Sequence, residues 1–217
     1  MSTLVFNSFS TSVLILLAVI TIKALMVSWG RHEPLHFFQF YCLKLSDKVN
    51  KLQNSKKQRA IAGVIAVWLT LLPVIIILWL FGAFVEVNWL WQGLLLYLAL
   101  GGLGLSQLAK TIAQALVANQ TYVAKQTLQP WVLRTTDNLS ALGITKACIE
   151  MLLLRFLQQT FVVSCLFIFF GPLMALTYRL LIEMHYCWNT KQQQYNPFGS
   201  HAQLLVNIIQ WLPVRLF

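Results

Sequence analysis

Charged residues, and acidic ones above all, are scarce in this chain of 217 residues. Only 10% of the residues are charged and six are Asp or Glu, whereas 58% are hydrophobic. Soluble domains carry roughly 25% charged residues, and disordered chains are poor in apolar ones. The scarcity therefore excludes a disordered chain and an ordinary water-soluble globule. The sixteen Lys and Arg residues leave a net charge of +10, which on so apolar a chain favours a membrane protein over a nucleic-acid-binding one.

The motifs of common soluble enzymes are also missing. The sequence contains no G-x-x-x-x-G-K-[ST], G-x-G-x-x-G or G-x-S-x-G pattern, so it offers no standard phosphate loop, dinucleotide site or hydrolase nucleophile. The four cysteines and four histidines show no metal-ligand spacing. We therefore predict neither a metal site nor a disulfide framework.

Long apolar runs are what the sequence does have. Because a helix needs about 20 mostly apolar residues to cross a bilayer, four runs predict membrane spans, and a shorter fifth begins near Leu204. Lys23 in the first run is expected to snorkel toward headgroups, and Gly171-Pro172 in the fourth predicts a kink or break. We expect an all-α polytopic membrane bundle of four to five transmembrane helices in a single domain, residues 1–217. The four runs are residues 12–29, 60–84, 89–105 and 156–181.

Basic residues collect in two of the predicted loops. Seven lie from Arg31 to Arg59 and five from Gln107 to Arg155, and loops rich in Lys and Arg stay on the cytoplasmic side. The pattern predicts a multi-pass protein of the bacterial inner membrane. Its N-terminus and the segment after the fourth span should lie outside, and both basic loops should be cytoplasmic. Such loops also attract anionic lipid, so the lipid bilayer is the first expected partner.

Helical periodicity runs through the second basic loop. A first stripe predicts that the third span continues as an amphipathic helix until Pro130 stops it. A second stripe leads from Gly143 into the fourth span. We therefore expect a helical cytoplasmic loop. We also expect any polar chemistry at the cytoplasmic end of the helix bundle, next to this loop. The stripes consist of Leu108, Ile112, Leu116, Tyr122 and Val123, and of Ile144, Ala147, Cys148 and Met151.

Short motifs follow one another in a recognisable order along the chain. They are Glu33-Pro34, Arg134-Thr135-Thr136, Gly143-Ile144-x-Lys146-Ala147, Glu150, Tyr178-Arg179, Phe198-Gly199 and Trp211-Leu212-Pro213-Val214-Arg215-Leu216. This succession resembles the cobalamin-biosynthesis CobD/CbiB family of integral membrane proteins over almost the whole chain. The most specific part is Phe198-Gly199 together with the final motif around Pro213. Since members of that family continue through at least one further span, we expect the chain to lack their C-terminal part.

The resemblance implies an ATP-dependent acid–amine ligase of the adenosylcobinamide-phosphate synthase type. Such an enzyme joins adenosylcobyric acid, a corrinoid, to aminopropanol or its phosphate, with ATP and magnesium as cofactors. Glu150 and Lys146 fall at positions implied to be catalytic, and Arg134, Arg179 and Arg215 at positions implied to bind phosphate or corrin carboxylates. Simpler interpretations stay open. Arg134 and Lys146 fit positive-inside charges, Arg179 and Arg215 fit anchors of span ends, and Glu150 fits a partner of Lys146 four residues earlier.

Most of the acidic residues in the family's pattern are replaced in this chain. The replacements include Leu154-Arg155, Gln158-Gln159, Ile182 and His185. Two interpretations therefore stay open. One is an active or altered synthase, and the other is a non-catalytic membrane regulatory protein without cofactors, similar to the AmpE group associated with β-lactamase induction. No oligomeric state is predicted.

Overall fold

The computed structural model describes residues 2–27, 35–51, 53–101, 105–132 and 135–216, and it leaves out the side chains of 2–9, 27, 212, 214 and 216. Within these ranges the fold is all-helical and contains no strand, as the apolar pattern predicts. Pro34 and Arg134 lie outside the described residues. The α-helices are α1 (Ser2–Val27), α2 (His36–Val49), α3 (Lys56–Phe84), α4 (Asn88–Ala99), α5 (Leu105–Val117), α6 (Thr121–Leu128), α7 (Ala141–Phe156), α8 (Val162–Phe170), α9 (Pro172–Cys187) and α10 (Ser200–Leu216).

Two of the described helical stretches are long and apolar enough to cross a membrane. They are Lys56–Phe84 and Ala141–Phe170, and the second joins α7 to α8 through a π-helical turn, Leu157–Phe161. A shorter apolar helix covers Ser10–Met26. The third predicted span is not one helix, because α4 ends at Ala99 and α5 begins only at Leu105. The described residues thus support two candidate spans rather than four to five.

A local sequence signal sets the start of α3, the longest described helix. The Ser55 hydroxyl accepts a hydrogen bond from the Gln58 N–H at 3.3 Å, and the Gln58 side chain accepts one from the Ser55 N–H at 3.1 Å. This reciprocal capping box satisfies two N–H groups that would otherwise lack partners at the helix start. The helix then continues through Pro73 to Phe84.

The fourth apolar run folds back on itself. Gly171 has a φ of 87°, a left-handed value that glycine adopts without steric cost, and Pro172 then begins α9. The helices before and after Gly171 run back along each other. The Arg155 guanidinium on α7, which continues into α8, lies 4.1 Å from the centre of the Tyr186 ring on α9. The predicted break at Gly171-Pro172 is confirmed, but the prediction of one crossing over 156–181 is wrong.

The segment after α9 consequently lies beside the amino end of α3. The Gln194 carbonyl accepts hydrogen bonds from the Asn50 amide at 2.7 Å and from the Arg59 guanidinium. Gly63, one turn further along α3, has no room for a Cβ next to the Phe198 carbonyl. Arg59 belongs to the first basic loop. The prediction that this loop and the segment after α9 lie on opposite sides of a membrane is therefore inconsistent with their contact.

Two hydrophobic clusters divide the described fold. The larger packs α1–α4 against α8–α10, and the smaller packs α5–α7 together. The predicted stripe from Ile144 to Met151 is confirmed, because all four of its residues are buried in the smaller cluster. The predicted continuous helix up to Pro130 is interrupted, since Asn119 adopts a φ of 58° between α5 and α6, a region that Asn tolerates better than most residues.

Candidate functional site

A pocket of about 280 Å³ lies where α7 of the smaller cluster meets the end of α9. We call it the junction pocket. Its volume is near the lower end of the roughly 300–1,000 Å³ that small-molecule sites occupy. It therefore suits a small ligand or one end of a larger one. Its polar lining consists of Glu150, Arg155, Gln158, His185, Tyr186 and Lys191.

Aromatic rings hold the Arg155 guanidinium in place within this pocket. The guanidinium carbon lies 4.1 Å from the centre of the Tyr186 ring and 5.1 Å from that of Trp131. Each contact is short enough for a cation–π attraction, which is about 0.5–1 kcal/mol at an exposed site. Because a held guanidinium loses less rotamer freedom on binding, Arg155 is prepared to take an anionic group.

Hydrogen bonds fix the floor of the junction pocket. The Tyr186 hydroxyl donates to the Gln158 side-chain oxygen, and the Gln158 amide donates to the Gln210 oxygen at 3.2 Å. These two hydrogen bonds connect α9, the π-helical turn and α10. Beside it, burial lowers the pKa of His185, and the charge of Lys191 acts in the same direction, so the imidazole is neutral at neutral pH.

Glu150 is the catalytic candidate that the structure brings into the junction pocket. It lies on α7, exposed, between Ala147 and Met151, whose burial in the smaller cluster orients the helix. Lys146, the other catalytic candidate, is exposed one turn earlier and does not line the pocket. The pocket instead gains two cations that the sequence analysis did not select, Arg155 and Lys191.

The remaining candidates lie elsewhere. Arg215 is exposed at the end of α10, where its guanidinium lies 4.3 Å from the centre of the Trp211 ring, and Pro213 is buried inside the same helix. Neither residue lines the junction pocket. The roles predicted for Arg134 and Pro34 stay predictions.

Arg179 belongs to a second polar group that is sealed inside the larger cluster. Its guanidinium forms an ion pair of 2.7 Å with Glu183, and the two side chains are 3% and 1% exposed. The other Glu183 oxygen accepts a hydrogen bond of 2.7 Å from the Gln39 amide. We call Gln39, Gln159, Arg179 and Glu183 the buried polar centre. Arg179 is thus neither an anchor at a span end nor open to a phosphate in this conformation.

The broken end of α4 contacts the buried polar centre. The Gly101 N–H donates to the Gln159 carbonyl at 3.1 Å, and the Thr160 hydroxyl donates to the Gly101 carbonyl at 2.9 Å. A Cβ at Gly101 would lie 2.7 Å from the Arg179 guanidinium, so a larger residue there would have to displace this buried, ion-paired side chain. Both partners of Gly101 lie in the π-helical turn Leu157–Phe161, and such turns are frequent at functional sites.

Three polar residues with clear partners were missed or misplaced by the sequence analysis. Glu183 carried one recognisable signal, since it is an acid four residues after Arg179 on an apolar helix, whereas Gln39 carried none. Lys23 was expected to snorkel, but its side chain is only 6% exposed. Its ammonium donates to the carbonyls of Tyr97, at 2.8 Å, and Leu100. Lys23 therefore satisfies carbonyls at the end of α4, a position where a cation is favourable.

The Phe198-Gly199 motif has a structural role. Phe198 is fully buried, and its ring packs edge-on against Trp188 with 5.0 Å between the ring centres. Gly199 has no space for a Cβ beside the Trp188 carbonyl. The motif fixes the start of α10 on the end of α9, and through it the position of the segment after α9.

No group of three or more His, Cys, Asp or Glu side chains in the described part of the chain is placed to hold a metal ion. The junction pocket offers one carboxylate, Glu150. Magnesium bound together with substrate phosphates uses one or two protein carboxylates. The pocket therefore meets the lower limit of what a magnesium–phosphate complex needs and provides no independent metal site.

Comparison with known proteins identifies the family. The family model described as CobD/Cbib protein matches residues 15–217. The chain is 28% identical over 202 residues to the cobalamin biosynthesis protein CobD of Stutzerimonas stutzeri, covering 92% of this chain and 65% of that protein. It is 29% identical over 154 residues to the protein of the same name from Chromobacterium violaceum, covering 71% and 49%.

A third such relative, from Leptospira interrogans, is 26% identical over 179 residues, covering 80% of this chain and 57% of the relative. The chain thus spans between about half and two thirds of the length of these curated relatives. No solved structure matches it. The match of the family model over nearly the whole chain shows that this protein belongs to the CobD/CbiB family.

Proposed function

We propose that the chain acts in cobalamin biosynthesis, at the step that joins adenosylcobyric acid to aminopropanol or its phosphate. The observation that carries the proposal is the position of Glu150. This acid matches the family's pattern and lies in a pocket that also contains Arg155 and Lys191. One carboxylate beside two cations suits a small ligand that carries both an amine and a phosphate.

Each of these side chains then has a defined task. Arg155 and Lys191 bind the phosphate through charge-assisted hydrogen bonds. Glu150 binds the ammonium group and accepts the proton that the amine must lose when the amide bond forms. ATP with magnesium would supply the activation of the corrinoid carboxyl group. Because the pocket is small, only the propionate side chain of the corrinoid would enter it.

The proposal includes a multi-pass location in the bacterial inner membrane, with the lipid bilayer as a partner and the basic loops in the cytoplasm. Two candidate spans support the membrane location, and the first half of the second, residues 141–156, then lies with the junction pocket on the cytoplasmic side of the hydrocarbon. The carboxyl-terminal part of α3 also exposes large apolar side chains, since Trp79, Phe81 and Phe84 are 64%, 60% and 82% exposed. Large apolar side chains exposed around one helix in this way favour contact with lipid or protein over contact with water.

A second candidate function is a non-catalytic regulatory role of the AmpE type on the same scaffold. The observation that favours it is the single carboxylate in the junction pocket, together with the lack of any metal-binding group among the described residues. In this alternative the pocket binds a small charged ligand without converting it.

Corrinoid analysis separates the two candidates. The chain would be expressed in a strain that lacks its own synthase and is supplied with cobyric acid, and the corrinoids would be identified by mass spectrometry. We expect the amidated product with the unmodified chain and with Lys146→Gln, and none with Glu150→Gln. An unmodified chain that reaches the membrane yet gives no product would refute the synthase and support the regulatory role.

A further inference from the structure

Helix α2 exposes aromatic side chains that its predicted place in a cytoplasmic loop does not explain. Phe37, Phe40 and Tyr41 are 81%, 55% and 41% exposed. Exposed apolar area costs about 25 cal/mol per Å² in water. Three neighbouring exposed aromatics on a helix of 14 residues therefore favour contact with a surface other than water.

The packing of α2 fixes how far these aromatics lie along α3. At its carboxyl end, the Asn50 side-chain oxygen accepts a hydrogen bond of 2.8 Å from Arg59 near the start of α3. Toward its amino end, the Tyr41 hydroxyl lies 3.5 Å from the hydroxyl of Thr70. Because an α-helix rises 1.5 Å per residue, these contacts lie about 16 Å apart along α3. The two helices are therefore antiparallel, and Tyr41 is level with the midpoint of the candidate span Lys56–Phe84.

The opposite face of α2 is held against α9. Gln39 hydrogen bonds to Glu183, and the Trp188 indole N–H donates to the carbonyl of the fully buried Cys42 at 3.0 Å. These contacts prevent α2 from rotating to bury its aromatics. The aromatic face must therefore meet whatever surrounds the neighbouring exposed face of α3, where Leu69 is 63% exposed.

Charge changes along α2 in the direction that a bilayer surface requires. The aromatic half comes first, and Lys44 and Lys48 follow in the exposed carboxyl-terminal half with Asp47 as the one acid of the helix. The Lys44 ammonium lies 5.6 Å from the centre of the Phe40 ring. Two further lysines, Lys56 and Lys57, begin α3. Basic residues at this level attract anionic headgroups by about 1 kcal/mol each.

We infer that α2 is a half-inserted helix, with Phe37, Phe40 and Tyr41 in the hydrocarbon, Lys48 on anionic headgroups, and the long Lys44 side chain extended toward the same headgroups. The inference rests on the proposed membrane location. It replaces the prediction that the whole segment 31–59 is an aqueous loop. The partner is an anionic phospholipid leaflet, rather than a second protein chain.

Site-directed spin labelling measures the depth of α2 directly. In a background with the four native cysteines replaced by alanine, single cysteines at Phe40, Asp47 and Leu69 would be labelled in vesicles of phosphatidylcholine and phosphatidylglycerol. Collision rates with oxygen, which concentrates in hydrocarbon, and with a water-soluble nickel chelate would be compared. We expect the Phe40 label to match the Leu69 label in preferring oxygen by at least fivefold, and the Asp47 label to prefer nickel.

The outcomes distinguish failure of the inference from failure of the membrane location. Nickel access at Phe40 with oxygen preference at Leu69 would place α2 in water and overturn the inference alone. Nickel access at both sites would overturn both. Shielding of the Phe40 label from both reagents would show that protein covers α2, and would overturn the lipid contact.

Photocrosslinking in the otherwise unchanged protein tests the same contact without removing cysteines. Benzoylphenylalanine in place of Phe40 preserves an aromatic side chain. We expect irradiation of membranes to give a phospholipid adduct at Phe40, as at Leu69 carrying the same probe. A protein–protein adduct at Phe40, or none when Leu69 captures lipid, would overturn the inference.

The headgroup contact has its own test in native mass spectrometry. The K44Q/K48Q double variant should retain at least one phosphatidylglycerol fewer than the unmodified protein. The charge-matched comparison is K110Q/K146Q, which removes two exposed lysines from α5 and α7 and should lose less phosphatidylglycerol than K44Q/K48Q. Equal lipid retention by K44Q/K48Q would overturn the headgroup contact.

Discussion

The junction pocket and the buried polar centre contain the same kinds of side chain in opposite surroundings. In the pocket, Glu150 and Arg155 face an open volume of about 280 Å³. In the centre, Arg179 and Glu183 are 3% and 1% exposed and neutralise each other at 2.7 Å. A sealed, neutral pair cannot bind a ligand unless the fold opens. The charges of the pocket are open to a ligand, which the proposed function assigns to them, whereas the charges of the centre attach α2, α4 and α9 to one another.

The largest expected effect comes from breaking the centre. Glu183→Ala leaves the Arg179 charge buried and unpaired, which typically costs about 3–5 kcal/mol. We expect little folded protein, measured as the yield and melting temperature in detergent. The double variant R179M/E183L removes both charges and should recover most of the lost stability. A double variant as unstable as Glu183→Ala would show that the ion pair is not what the fold depends on.

A smaller effect is expected at the contact between α4 and the centre. Gly101→Ala places a Cβ 2.7 Å from the Arg179 guanidinium, and overpacking of this kind costs about 1–3 kcal/mol. Gly93→Ala is the matched control on α4, because its nearest neighbours would lie at 3.9 Å. Alanine favours a helix over glycine by about 1 kcal/mol, so the control should be at least as stable as the unmodified protein. Equal melting temperatures for the two variants would contradict the close packing at Gly101.

The smallest effect on stability is expected in the pocket. Glu150 and Lys146 are both exposed on α7, and such substitutions usually change stability by within about 0.5 kcal/mol. Glu150→Gln and Lys146→Gln should therefore melt alike. They should differ in binding aminopropanol phosphate, which only Glu150→Gln weakens. Calorimetric titration measures this difference. Equal affinities of the two variants would show that Glu150 does not contact the ligand.

Local features of the fold could be predicted from the sequence. The break at Gly171-Pro172 follows from backbone preferences of two adjacent residues, and the buried stripe from Ile144 to Met151 follows from helical periodicity. The reversal of the chain at Gly171 could not be predicted. One membrane-crossing helix and two shorter antiparallel helices would both appear in the sequence as the same apolar run.

The candidate site was predicted only in part, for a similar reason. Glu150 was found from a motif, but Arg155 joins it through contacts with Tyr186 and Trp131 on other segments of the chain. The hydrogen bond between Gln39 and Glu183 links residues 144 positions apart, and no sequence spacing encodes it. Arg179 was predicted to bind phosphate or to anchor a span end, and only its burial and its ion pair with Glu183 reveal the structural role.

The affinity of the Arg155→Gln variant for aminopropanol phosphate tests the central claim most directly. Hydrogen bonds to a charged group contribute about 1.5–3 kcal/mol, a factor of roughly 10–100 in Kd. We predict that calorimetric titration of the protein in lipid nanodiscs gives at least tenfold weaker binding for Arg155→Gln, with secondary structure unchanged by circular dichroism. Unchanged affinity in a folded variant would show that the junction pocket is not where the ligand binds.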